Sequence, residues 1–253
     1  METADPFGIA GAYAMSHFTI RPVRPDDEAG AYHVCLKTGD NGQDGEPFYR
    51  EDPDALGRIY VGPYLKFEPE LGVILEDEQG ICGYSLGALD SKKFFARYET
   101  EWRPALAAQF AAPTGDPARW TRVQRAHDLY HHPENFIPDP EFYAEFPSHL
   151  HIDLLPRAQG HGFGRRMLEQ VMENLRRRGS PGAHLGVSTL NDRAITFYRH
   201  LGFHELVRVG PDDDGCLYMA KRLAPVAAEV TRLEGGEAPS PASLPRPLPD
   251  PAP

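Results

Sequence analysis

Apolar residues in this chain recur with two different periods, and the change from one to the other marks its central element. Across residues 148–155, Leu150, Ile152 and Leu154 alternate with His149, His151 and Asp153. A period of two predicts a strand with one core face and one face that can meet a cleft. From Phe163 onward the spacing becomes helical, with Phe163, Met167, Val171 and Leu175 on one stripe. Gly179 stands where a C-terminal cap is needed, and Arg176, Arg177 and Arg178 suit the negative end of the helix dipole.

The same reading extends along the chain. Residues 17–23 form a strand, followed by a helix with the acidic start Asp26-Asp27-Glu28. Residues 71–76 and 81–89 make a hairpin around Glu78-Gln79-Gly80, and residues 203–209 and 216–223 make another around 211–215. Residues 183–188 form a further strand. It leads to a helix in which Asn191 is the N-cap, Ile195, Tyr198 and Leu201 share a face, and Gly202 is the stop. Residues 91–147 are an unusually long connection with helical patterns over 102–110 and 119–130. They are expected to form a helical insertion on the acceptor side of a cleft, with Trp102 and Trp120 as aromatic walls. The cluster Asp128, His131, His132 and Glu134 reads as loop packing, because no Cys joins it and Pro133 follows.

Between strand and helix lies Leu154-Leu155-Pro156-Arg157-Ala158-Gln159-Gly160-His161-Gly162-Phe163-Gly164. Closely spaced glycines let backbone N–H groups turn toward an anion, and the helix that starts there adds the positive end of its dipole. A pyrophosphate fits such a cradle. A P-loop would need Lys followed by Ser or Thr, where Arg165 and Arg166 stand, and the GxGxG spacing lacks the third glycine of a dinucleotide fold.

With Arg157, Gly160 and Gly162 in the pattern Q/R-x-x-G-x-G/A, this region resembles the GNAT superfamily of acyl-CoA-dependent N-acetyltransferases. A second segment, Asn191-Asp192-Arg193-Ala194-Ile195-Thr196-Phe197-Tyr198-Arg199-His200-Leu201-Gly202-Phe203, is similar to the N-x-x-A-x-x-F-Y-x-x-x-G-F stretch of that superfamily. More narrowly, Phe146-Pro147-Ser148, the long insert before it and the 179–182 turn resemble the acetyltransferase-like C-terminal domain of eukaryotic O-GlcNAcase. That domain has a degenerate glycine loop, whereas Arg157, Gly160, Gly162 and Gly164 are all present here.

The resemblance implies an α/β (α+β) GNAT fold: a mixed, mostly antiparallel sheet with a splayed central strand, flanked by helices. It implies acetyl-CoA as acyl donor, held by Leu154, Leu155, Arg157, Gln159, Gly160, His161, Gly162, Phe163, Gly164, Arg165, Asn191 and Tyr198. It also implies direct attack by a primary amine of a small molecule or peptide, an oxyanion met by a backbone N–H near Leu154, and Tyr198 protonating the departing thiolate. By strand alternation Asp153 points away from Ile152 and Leu154 and is the preferred base, with His149, His151 and Glu145 as rivals. Gly186 stands where many protein N-terminal acetyltransferases carry Glu, which argues against that substrate class. An acyl-CoA-binding module without turnover is the alternative.

Composition narrows the setting. At 253 residues and 41% hydrophobic, the chain can bury a sizeable core, assigned to residues 16–223 with a flexible extension at 1–15. Residues 224–253, rich in Pro, Ala, Ser and Glu, have too little apolar surface to offset ordering and are expected to be disordered. A net charge of −11 argues against nucleic acid and anionic lipid as partners. The lack of a long apolar run or a basic leader points to a cytoplasmic protein without a membrane span. Cys35, Cys82 and Cys216 lack metal-ligand spacing, and Asp212-Asp213-Asp214-Gly215 lacks the terminal Glu of an EF-hand, so no metal is expected.

Overall fold

In a computed structural model, residues 17–133, 141–210 and 215–224 are described. The extension 1–15, the tail from 225, the turn residues Asp212, Asp213 and Asp214, and Glu134 lie outside them.

Seven strands form one sheet in the order β1-β2-β3-β4-β5-β7-β6. They are β1 (Thr19–Pro22), β2 (Val73–Asp77), β3 (Gly80–Ala88), β4 (Ser148–Leu154), β5 (Gly182–Ser188), β6 (His204–Val209) and β7 (Cys216–Arg222). Every neighbouring pair is antiparallel except β4 and β5. That parallel pair meets only at Ser148 with Ala183 and His149 with His184, and the C-terminal half of β4 then stands apart from β5. This is the mixed, mostly antiparallel sheet of the GNAT fold with its splayed centre.

Two helices frame the splay. Helix α7 (Phe163–Arg177) is the crossover from β4 to β5, and α8 (Asp192–His200) follows β5. Both end in the same device: Gly179 and Gly202 take φ of 88° and 84°. The Ser180 and Phe203 N–H groups reach back to the Leu175 and Tyr198 carbonyls at 3.1 and 3.0 Å. This Schellman closure favours glycine because a Cβ at positive φ is strained. Asn191 caps α8 through its side-chain oxygen, which accepts from the Ala194 N–H at 3.0 Å.

Cross-strand register decides the faces. Tyr84, Leu86 and Ala88 of β3 stand opposite Asp153, His151 and His149 of β4, so these six side chains share a face. Helices α1 (Glu28–Thr38), α2 (Ala55–Tyr60), α3 (Gly62–Phe67) and α4 (Ser91–Arg97) cover it. Helix α7 packs on the other face, where a Cβ on Gly87 would come within 2.8 Å of Val171. The polar face of β4 is therefore closed at His149, while His151 and Asp153 nearer its C-terminal end are half-exposed. His149 is buried against Tyr64, Phe94 and Phe95, while Ile152 and Leu154 on the opposite face are half-exposed.

Strand β1 is shorter than residues 17–23. It is tied to the start of α1 by Arg21, which makes two 2.7 Å bonds to the Asp27 carboxylate and a third contact of 2.7 Å to Glu76. The insertion opens with α4, which was not foreseen, and continues through a π-helical turn, Tyr98–Trp102, into α5 (Arg103–Gln109). The turn precedes Pro104, which has no N–H to continue an α-helical ladder. Helix α6 (Arg122–His131) begins on a capping box of Thr121 and Gln124. Among the described residues, no helix is long and apolar enough to cross a membrane.

Candidate functional site

The 3-10 turn Pro156–Ala158 carries the chain from β4 to the glycine loop. Gly160 and Gly162 take φ of 81° and 77°, and a Cβ on either would meet nothing within 4 Å. Their alpha carbons face open space while their conformation disfavours any other residue. Gly164 differs: a Cβ there would lie 3.4 Å from Phe197, so its role is to let α7 start close to α8. The first N–H groups of α7 have no intrahelical partner and carry the positive end of its dipole.

This loop closes one end of a cavity of about 370 Å³. Gln159, Gly160, Gly162, Phe163, Gly164 and Arg165 line that end, and Ile152, Asp153 and Leu154 line its floor. Asn191 and Tyr198 of the α8 region form a further wall. The cavity thus brings together nine of the residues singled out in the sequence: Asp153, Leu154, Gln159, Gly160, Gly162, Phe163, Gly164, Arg165 and Asn191, with Tyr198 as the tenth.

Three others point elsewhere. The Arg157 guanidinium bonds Asp77 at 2.8 and 3.3 Å and approaches the Gly80 and Ile81 carbonyls at 3.4 Å, stapling the β2–β3 hairpin. The Asp77 carboxylate is covered by Arg157 and also accepts from the Gln79 N–H at 2.9 Å. In this structure the Arg157 side chain supports the hairpin and does not line the cavity. His161 lies on the Phe18 and Phe163 rings. Leu155 is buried, its N–H donating to the Cys82 carbonyl at 2.8 Å. By strand alternation the Leu154 N–H then points the other way, into the splay beside β5. Gln159 fixes that edge by donating to the Leu154 carbonyl at 2.7 Å.

Asp153 and Tyr198 face the same space from β4 and α8. Burial pushes the Asp153 carboxyl up to about 7, against the pull of the Tyr84 hydrogen bond and of the nearby Thr38 hydroxyl, whose proton goes to the Val34 carbonyl at 2.8 Å. Burial, and then the nearby Asp153 charge, raise the Tyr198 phenol, so it holds its proton at neutral pH. The other three candidates sit in different surroundings. Burial pushes His151 down to about 4 and His149 well below its ordinary value. Glu145 is paired with Arg222.

The hydroxyl of Tyr84 donates to Asp153 Oδ2 at 2.6 Å and lies 2.9 Å from His151 Nε2. Cys35 Sγ, His151 and Asp153 place ligand-type atoms within 4.8 Å of one another. Tyr84 is hydrogen-bonded to all three, so its hydroxyl occupies the middle of the group. Burial raises the Cys35 thiol, which keeps its proton. The group is a hydrogen-bonded hub built on a phenol.

The opposite wall was missed in the sequence. Thr38, Asn41, Gly42 and Gln43 line it. Asn41 and Gly42 both have positive φ, 52° and 86°, between the bridged pair Asp40 and Gln43. Asn-Gly is the signal for such a turn and stands plainly in the sequence. The tryptophans do not reach the cavity. Trp102 donates to the Arg58 carbonyl at 2.8 Å and fills the space over Gly62, while Trp120 donates to the Thr114 carbonyl at 3.1 Å. The insertion reaches the turn beside the cavity through Arg122, which bonds Asp40 at 2.8 Å and stacks 3.9 Å over Phe48.

Comparison with known proteins agrees with this geometry. The model of the acetyltransferase (GNAT) family matches residues 45–203. Protein O-GlcNAcase of Rattus norvegicus and of Mus musculus are each 31% identical over 192 residues, 76% of this chain. The chain spans only 20% of the length of those relatives. The crystal structure of SsHAT superposes with a TM-score of 0.72 at 36% identity, covering 81% of this chain and 98% of that one. PH1933 from Pyrococcus horikoshii OT3 shares the fold, with a TM-score of 0.52 at 15% identity over 82% and 99% of the two chains.

Proposed function

Because the chain belongs to the acetyltransferase (GNAT) family, with acetyl-CoA as its donor, we propose that it acetylates a primary amine of a small molecule or peptide. Transfer is direct, within a ternary complex. The observation that carries this reading is the meeting of Asp153, Tyr198 and the glycine loop on one cavity.

The loop from Gln159 to Arg165 supplies N–H groups and the α7 dipole for the donor's diphosphate. Asp153 takes a proton from the acceptor ammonium, directly or through water. The freed amine attacks the thioester carbonyl, and its oxygen gathers negative charge near the Leu154 N–H in the splay. When the tetrahedral species collapses, the C–S bond breaks and Tyr198 gives its proton to sulfur. The attacking nitrogen sheds its second proton to the Tyr198 phenolate through water, so the products are the neutral amide and free coenzyme A, with Tyr198 restored and Asp153 left protonated until it exchanges with solvent.

The test is an amine panel, followed by thiol release and by the mass of the product. Thiol release matched mole for mole by an acetylated amine supports the reading. Tight acetyl-CoA binding with no turnover across small amines and peptides overturns it in favour of a binding module.

A further inference from the structure

Tyr84 is wholly buried in β3, yet its hydroxyl lies at the end of a directional chain. Its single proton points to Asp153 Oδ2 over 2.6 Å. The same oxygen is 2.9 Å from His151 Nε2, so the bond between them is made by an Nε2–H donated from the imidazole. His151 is neutral, and its proton therefore sits on Nε2 with Nδ1 bare. The tautomer is fixed by the phenol, and the phenol by the carboxylate.

We infer that Tyr84 is a positioning residue for Asp153: backed by His151, it holds Oδ2 and so sets how the carboxylate is presented to the acceptor amine. The inference rests on the assignment of Asp153 as base. A carboxylate on a strand has two rotatable bonds, and one short donor bond from a rigid, buried ring removes most of that freedom. The donated bond also favours the ionised carboxylate, so it offsets part of the cost of burying a base.

Tyr84 is the nearest donor to Asp153 Oδ2 at 2.6 Å, and His151 Nε2 lies 3.4 Å from the same oxygen. Cys35 and Thr38 approach from α1, His151 lies on the same strand and Tyr198 comes from α8. Tyr60 of α2 packs on His151 with ring centroids 5.8 Å apart. The cations that line the cavity, Arg165 and Arg193, belong to the glycine loop and to α8.

The experiment is a titration of the Asp153 carboxyl carbon by nuclear magnetic resonance, in the full chain without acceptor. A midpoint near 7 is expected for the native protein, moving upward by about one pH unit in Tyr84→Phe, which keeps the ring and removes the donor. His151→Leu should move it upward by less, and His151→Gln, whose amide can still donate, should restore it. An unchanged midpoint in folded Tyr84→Phe overturns the inference. Should that variant not fold, an unchanged midpoint in His151→Leu does the same. This readout does not depend on turnover. A shifted midpoint with an unmoved acid limb of kcat/KM supports the role of Tyr84 and overturns that of Asp153 as base.

Discussion

Tyr84 and Asp153 face each other across adjacent antiparallel strands, joined by a 2.6 Å bond from phenol to carboxylate. The bond lies beneath the cavity floor, in a place where burial disfavours a charge. This makes Asp153 costly to keep ionised. Burial pushes its carboxyl up to about 7 from an ordinary 3.8, so between those values the folded state holds a proton that the unfolded chain has lost. Stability contributed by this group is present below pH 4 and is lost as pH rises toward 7.

Asp153→Asn, which carries no such charge, is expected to be more stable than the native protein at pH 8 by on the order of 2 kcal/mol, the gain vanishing near pH 4. Thermal unfolding at the two pH values checks this. A variant equally destabilised at both would place the carboxylate among ordinary stabilising contacts.

Gly162→Val should weaken acetyl-CoA binding at least about tenfold, because a side chain would stand in the open space where the loop N–H groups converge. The left-handed φ of 77° adds a folding cost of about 1–2 kcal/mol. Calorimetry on the folded variant separates the two effects. Undiminished affinity would remove the diphosphate from this loop.

Arg157→Ala should behave in the opposite way. It removes the cation from Asp77, which keeps the Gln79 N–H at 2.9 Å, and is expected to cost about 1 kcal/mol of stability, with acetyl-CoA affinity within about twofold of native. Chemical denaturation and calorimetry on the same protein report both quantities. A large loss of affinity with unchanged stability would return Arg157 to the donor site.

Much of this site was legible in the sequence because it is built from local signals. The glycines of the loop, the Asn191 cap and the Gly179 and Gly202 stops each act over a single turn, and periodicity assigned β4, α7 and α8. What escaped depends on distant partners. Arg157 meets Asp77 eighty residues away, a pairing that appears only once β2, β3 and the loop are assembled. Tyr84 becomes visible as a partner of Asp153 only when the register of β3 on β4 is known. Helices α2 and α3 are six residues each, too short to display a helical period, yet they bring Tyr60 and Tyr64 over His151. The tryptophans misled because a large aromatic suits a core as well as a pocket, and Trp102 went to the core.

Tyr198→Phe keeps the ring that packs on Phe203 and removes only the acidic hydrogen. With a working amine, kcat is expected to fall about 10- to 1,000-fold while acetyl-CoA affinity stays unchanged. Pre-steady-state thiol release measures the step directly. Full turnover by the Phe variant would assign sulfur protonation to another group or to solvent.

The central claim is that Asp153 takes the proton of an amine bound beside the donor thioester. The most direct measurement is the pH dependence of kcat/KM for thiol release with a reactive amine, in native protein and in Asp153→Asn. The account predicts a native rate that rises with pH through a midpoint near 7, as the carboxyl ionises, and an Asn variant slowed at least about 100-fold that has lost this limb while binding acetyl-CoA normally. An Asn variant that keeps the native rate and the same limb would contradict it.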